Sequence, residues 1–381
     1  MVAAGVAAWV AYLPPPDLDP AADVTAAGAW TEMPFSGLAG RSDPSVVWTR
    51  KAMIVWGGEA TSGVRGDGAT FDLATATWTP LPPAPFAPRR GHTAVWTGTT
   101  MLVYGGLGQS ADCPQVCALG DAVAFDTIAK TWKQLAPAPL APRTGHSAVW
   151  VQNRMVVWGG AAEGGATLAD GASYDPATNT WAPLPQAPLA PRVGHRTVAT
   201  THRMLVWGGS SETANGVYFA DGAVYSPATN SWTPMAAAPG SLAARDNFSS
   251  VWTGEQMLVW GGPGRSDGAA YTLESDSWAP IAASPLSGRS AAGAVWTGRD
   301  MLIWGGSDSG VRADGALYNP GQDSWSRVAP GPLPARQYHA MVWTGRQLLI
   351  WGGEGPSGPL SGQQGSGAKL ADGAVLTLRA T

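Results

Sequence analysis

Short apolar runs, each stopped by two glycines, recur along the chain. Met53-Ile54-Val55-Trp56 ends at Gly57-Gly58, and equivalent runs end at Gly105-Gly106, Gly159-Gly160, Gly208-Gly209, Gly261-Gly262, Gly305-Gly306 and Gly352-Gly353. A period of roughly 50 residues belongs to propellers, solenoids and arrays. The runs are rich in β-favouring residues and too short for helices. They predict buried strands that end in a tight bend where backbone approaches backbone.

The third unit shows the full pattern. Arg143 precedes Gly145-His146-Ser147-Ala148-Val149-Trp150, a first strand. Gln152-Asn153 makes a polar turn into the second strand, which ends at Gly159-Gly160. Asp170-Gly171-Ala172-Ser173-Tyr174 begins a third strand, and Asp175-Pro176-Ala177-Thr178-Asn179 has the composition of a turn. Thr180-Trp181-Ala182-Pro183-Leu184 is a fourth strand, and a proline-rich connector leads to Arg192. Four short strands per unit describe one antiparallel blade.

Gly-His-Ser-Ala-Val, then Gly-Gly, then Tyr-Asp-Pro-Ala-Thr-Asn-Thr-Trp, in this order, resembles the kelch repeat. The resemblance covers residues 27–381 and implies an all-β, seven-bladed β-propeller of four-stranded blades. It is also similar to the central domain of galactose-oxidase-like proteins. The first six units carry a fourth-strand Trp (Trp78, Trp132, Trp181, Trp232, Trp278 and Trp325), whereas the seventh stops after its third strand. Trp30-Thr31-Glu32-Met33 parallels Trp232-Thr233-Pro234-Met235. The N-terminal strand is therefore expected to complete the last blade and close the ring.

Composition narrows the function classes. The 20 Trp require a core, and charged residues are only 13% of the chain. A net charge of −4 without a basic run argues against nucleic acid or an anionic membrane as partner. Residues 1–26 read as a signal or anchor remnant followed by a linker, or as a disordered tail. The apolar stretch 1–13 is shorter than the ~20 residues of a membrane span. Cys113 and Cys117 lie in one loop, either as a local disulfide, which fits an oxidising compartment, or as two free thiols; their spacing makes a poor zinc site.

Several constellations recur in register. Arg41, Arg89, Arg143, Arg192, Arg245, Arg289 and Arg336 match Asp67, Asp121, Asp170, Asp221, Asp267, Asp314 and Asp372 unit by unit. They form either a cationic ring for an anion or, the reading taken, a structural salt bridge in each blade, with the glycine pair giving the arginine room to cross. Second-strand aromatics such as Trp56, Tyr104 and Trp158 are read as packing between blades in preference to a sugar platform. His92, His146, His195 and His339 share one register, as metal ligands only if they converge and otherwise as repeat residues bonded to a neighbouring loop.

Departures from the repeat are the candidate binding residues. Asp43 stands where other units have Gly before His, and Asp246-Asn247-Phe248 replaces that motif in the fifth unit. Tyr338 precedes His339, and Glu59 and Glu354 directly follow glycine pairs. In a closed ring the first and seventh units are neighbours, so Asp43, Glu59, Tyr338, His339 and Glu354 are expected near one point of the rim. Drift of the repeat explains the same residues. Hydrolase, phosphate-loop and calcium-loop motifs are absent. A copper-radical oxidase needs a Tyr–Cys crosslink and converging ligands, which Cys113 and Cys117 do not match. The reading is a binding or interaction module with no cofactor and no metal. It takes a protein or carbohydrate ligand on the loop rim. It is monomeric and extracellular, periplasmic or in the cell envelope. A sugar-active enzyme resembling kelch mutarotases or galactose-oxidase-like proteins is the alternative.

Overall fold

The computed structural model describes residues 24–110, 113–211, 216–356 and 367–380. The stretch read as a signal or anchor remnant lies outside them. Seven four-stranded antiparallel sheets form the blades. The first runs outward through Ser45–Trp48, Ala52–Trp56, Gly68–Asp72 and Thr77–Pro80. The later blades start with innermost strands Thr93–Trp96, Ser147–Val151, Arg196–Ala199, Ser249–Trp252, Gly293–Trp296 and Ala340–Trp343. Each innermost strand touches the next, and Ser45–Trp48 touches Ala340–Trp343, so the cycle closes.

The last blade is built from both ends of the chain. Its sheet runs Ala340–Trp343, Gln347–Trp351, Gly373–Ala380 and Val24–Glu32. Trp30 pairs with Leu376 and Glu32 with Ala374. The strand starts at Val24, inside the stretch read as linker, because pairing extends past an irregularity to Val24 opposite Ala380.

The core lies between blades. Val47, Ile54 and Trp56 of the first blade pack against Ala94, Trp96, Met101 and Val103 of the second. Val46, Met53 and Val55 pack against Val342, Leu349 and Trp351 of the last. Neighbouring blades cover both faces of each second strand, so Ala52–Trp56 is buried at every position and reads as an unbroken apolar run. Fourth-strand indoles stack on the second-strand aromatic of the preceding blade, as in Trp56–Trp132 at 5.4 Å and Tyr104–Trp181 at 5.4 Å. Trp304–Trp30 at 6.1 Å and Trp351–Trp78 at 5.9 Å continue the series across the joined ends. These indole N–H groups donate to carbonyls of connectors, such as Trp132 to Pro82 and Trp30 to Ala329, which removes the cost of burying a donor.

Candidate functional site

The arginine, aspartate and glycine pair of each unit form one joint. All seven arginines meet the aspartate of their own blade at 2.5–3.0 Å. The Arg143 side chain is fully buried while that of Asp170 is 54% exposed, so the guanidinium is the desolvated partner. It is satisfied on several sides: Nε donates to the Ala141 carbonyl at 3.0 Å and Nη1 to the Gly159 carbonyl at 3.0 Å. This geometry does not support the cationic-ring alternative, because the arginines are saturated.

The glycines do a different job from the one expected of them. A Cβ at Gly160 would meet Thr144 O at 2.6 Å and His146 N at 2.8 Å, not the Arg143 side chain. At Gly159 it would meet His195 Cε1 of the next blade at 2.8 Å. Both residues have positive φ, 70° and 98°. Gly159 therefore lets the next blade approach, and Gly160 lets the entrance of its own blade at Thr144 and His146 pass close. Gly160 N donates to Arg192 O at 3.0 Å, and Gly353 N to Arg41 O at 2.8 Å closes the same series.

The histidines belong to these joints. His92, His146, His195 and His339 lie edge-on against Trp56, Tyr104, Trp158 and Trp304 at 5.1–5.4 Å, and Phe248 takes the same place on Trp207. His146 Nε2 bonds Thr93 Oγ1 at 2.8 Å, and His195 Nε2 bonds Ser147 Oγ at 3.0 Å. Burial pushes the His146 and His339 rings down to about 3, so they stay neutral. His339 is accordingly removed from the rim candidates: its ring is held between blades. Among the described residues, no three His, Cys, Asp or Glu side chains gather as a metal ion would need.

The residue before each of these ring positions turns the chain in the left-handed region. Gly91, Gly145 and Gly194 do so freely, whereas Asp43, Asn247, Ala291 and Tyr338 do so at φ 50°, 47°, 53° and 53°. These residues circle the axis at the inner strands' entrance. Asp43 N donates to Tyr338 O at 3.0 Å, Tyr338 N to Ala291 O at 3.4 Å, and Asn247 N to Gly194 O at 3.1 Å. A tyrosine here is costly and is kept only where the surroundings hold it.

This mouth is where the predicted residues meet. Asp43 is 4% exposed, and its Oδ1 has no hydrogen-bond partner among the described residues. The charges of Lys369, Arg90, Glu59 and Glu354 act on it. Burial dominates and pushes its carboxyl up to about 8. Glu59 is held by Arg90 at 3.3 Å, and Glu354 by Lys369 at 2.7 Å; Lys369 also donates to Ser42 Oγ at 2.7 Å. Tyr338 feels Asp43 and Glu354 on one side and Arg196 and Asp246 on the other; burial first, then the carboxylates, pushes its phenol up to about 12. Asp246 accepts from Ser210 Oγ at 2.9 Å, and burial raises its carboxyl. Burial lowers the Arg196 guanidinium to about 9, against the charges of Asp246 and Tyr338.

Thus Asp43, Glu59, Tyr338 and Glu354 come together, Asp246 with Asn247 stands across Tyr338, and His339 is elsewhere. Ser42, Arg90, Arg196 and Lys369 are additions. Arg196 carried a signal, since the other units hold only small residues at its position, Ser45, Thr93, Ser147, Ser249, Gly293 and Ala340. Lys369 carried one too, since it lies three residues before Asp372, where other units hold Val64, Ala118, Thr167, Tyr218 and Val311. Cys117 is disulfide-bonded, and Cys113, whose side chain lies outside the described residues, is the only other cysteine of the sequence.

Blades joined in a closed cycle, with an irregular polar mouth at one end, define a β-propeller built on repeats. The family model described as the KLHDC2/KLHL20/DRC7 Kelch-repeats domain matches residues 43–262, more than half of the chain. The chain belongs to the kelch-repeat family. A solved structure titled "Structure of YjhT" aligns with it at a TM-score of 0.60 and 15% identity, over 77% of this chain and 99% of that one. At that identity the likeness shows the fold alone. No curated protein matches the chain. Among the described residues, no helix is long and apolar enough to cross a membrane.

Proposed function

We propose that the protein is an exported binding module that seats its ligand, a protein or a carbohydrate, over the mouth ringed by Asp43, Asn247 and Tyr338. The observation that carries this is the buried Asp43 carboxyl, whose Oδ1 has no hydrogen-bond partner among the described residues. Variable loops on a rigid scaffold are the usual seat of recognition. The Cys117 disulfide supports a home in the envelope or outside the cell. The protein acts as a monomer in this reading.

The test is photo-crosslinking in the native host. A photoreactive residue is placed at Val116 or Val217, exposed between second and third strands, on the side of the blades where the mouth lies, or at Ile128, exposed in the turn between third and fourth strands. Adducts from the first two sites and none from the third support the reading. Adducts only from Ile128, or from no site, contradict it. The alternative, an enzyme acting on a sugar, draws on Asp43 as a protonated acid beside Tyr338. Faster interconversion of sugar anomers with the protein, lost in Asp43→Asn, is what it requires.

A further inference from the structure

One carboxyl at the mouth has no cation of its own among the described residues. Glu59 has Arg90 at 3.3 Å and Glu354 has Lys369 at 2.7 Å. Asp246 faces Arg196, whose charge acts on it. Asp43 is left without an ion pair of its own among the described residues: the cations nearest it, Lys369 and Arg90, are already engaged, and Glu59 and Glu354 face it as further anions. Its backbone is held by the bond from its N–H to Tyr338 O at 3.0 Å and by its left-handed turn. Four carboxyl groups thus share three cations in one desolvated mouth. Tyr338 links the two sides, since it feels Asp43 and Glu354 as well as Arg196 and Asp246.

Building on the reading of the mouth as a ligand seat, we propose that it takes its ligand by one protonated primary amine, with Asp43 as the counter-charge and Tyr338 alongside as a hydrogen-bonding wall. An ammonium group has three donors and one charge, which answers an unpartnered carboxyl better than a neutral hydroxyl does. An anion would meet Asp43, Glu59 and Glu354 together and is disfavoured. Empty, the Asp43 carboxyl holds its proton at neutral pH, because burial raises it to about 8. The incoming ammonium stabilises the carboxylate, so one proton leaves Asp43 for solvent as each amine binds, and the charges balance. Binding should therefore strengthen by up to about tenfold for each pH unit of increase below 8. Lys369, Arg90, Glu59, Glu354 and Tyr338 all face Asp43 and modulate that slope. The amine can come from a small molecule or from a lysine on a peptide.

The experiment uses the full chain and three probes: propylammonium, 1-propanol, and the N-acetylated, amidated peptide Gly-Lys-Gly. Calorimetry in two buffers of different ionisation heat reads both binding and proton release. Saturable binding of propylammonium with release of one proton at pH 7, no binding of propanol, and at least tenfold weaker binding to Asp43→Asn support the proposal. The peptide arm tells the sources apart: peptide binding points to a lysine-bearing partner, and its absence with propylammonium bound points to a small amine. Equal binding of propanol and propylammonium, or binding undiminished in a folded Asp43→Asn, overturns it. Tyr338→Phe provides a second variant: the wall predicts a smaller loss than Asp43→Asn, and a larger loss contradicts Asp43 as the counter-charge. If amine binding fails while crosslinks form at Val116 and Val217, only this inference falls. If amine binds and no crosslinks form, the protein-partner reading falls and the amine site stands.

Discussion

At the joints, the arginine, aspartate and glycine-pair contacts are made in every blade; at the mouth, blades two to four share a glycine while the other four each carry a different residue, Asp43, Asn247, Ala291 and Tyr338. Arg143, Asp170 and Gly159-Gly160 have counterparts around the whole ring, and every arginine is saturated. A few ångströms nearer the axis, blades one, two and seven bring Glu59, Arg90, Glu354 and Lys369 to the mouth, whereas the third offers Thr144 and Ala161 at the positions of Arg90 and Glu354. Repetition marks what holds the ring together, and departure from it marks where the ring meets something else. The two regions also differ in how their charges are handled. A buried guanidinium with a carboxylate and two carbonyls lacks nothing, whereas a buried carboxyl with an unpartnered oxygen still lacks a partner.

Cutting the ring should separate the regions most severely. A chain starting at Ser36 lacks Val24–Glu32 and leaves Gly373–Ala380 as an open edge. It should lose its cooperative thermal transition or aggregate, and a melting curve matching the full chain would show that closure contributes little.

Breaking one joint should cost less and stay local. Arg143→Ala leaves Asp170 largely solvated but opens a fully buried site, so we expect about 3 kcal/mol by denaturant unfolding. Adding Asp170→Ala should not deepen that loss, and simple additivity would mean the two residues do not act as a pair.

At the mouth the sign should reverse. The Asp43 carboxyl titrates at about 8 when folded and near 4 when unfolded. The folded chain binds the extra proton, so stability falls as pH rises from about 4 to about 8. Asp43→Asn removes that dependence and should stabilise by about 2 kcal/mol at pH 8, less than the full linkage because the buried amide also lacks a partner. The gain should vanish near pH 4, and a destabilised variant at pH 8 would contradict the uncompensated carboxyl.

The smallest effect concerns the inter-blade rings. Phe248 already fills the histidine position in the fifth blade, so His195→Phe should cost about 1 kcal/mol at pH 7, the loss of the Ser147 bond. Burial holds His195 well below its ordinary value, so its neutral form stabilises fully above about 6.5 and that contribution is lost as pH falls. The variant's deficit should therefore shrink between pH 7 and pH 5, and a constant deficit would argue against a buried neutral ring.

Much of the ring was readable from the chain because each element repeats with its packing partners. Trp30 could be assigned to the last blade by its likeness to Trp232, and Arg143 to Asp170 by register alone. The purpose of Gly159-Gly160 was misread, because the sequence shows the missing side chain but not the neighbouring backbone that fills the space. His339 was placed at the rim for the same reason: register says which blade a residue belongs to, and only packing says that Trp304 covers its ring. At the mouth, Asp43, Tyr338 and Glu354 stood out as departures, while Lys369 was passed over although it departs from the register of Val64, Ala118, Thr167, Tyr218 and Val311, because a loop of varying length precedes it.

The central claim is that the mouth holds one carboxyl that the fold leaves uncompensated. The direct measurement is a pH titration of the protein with 13C-labelled aspartate, following side-chain carboxyl signals and assigning Asp43 by its loss in Asp43→Asn. A midpoint near 8, far above the other aspartates, is the predicted result. A midpoint near 4, the ordinary carboxylate value, would mean that Asp43 is solvated or paired and that the mouth has no open charge to offer.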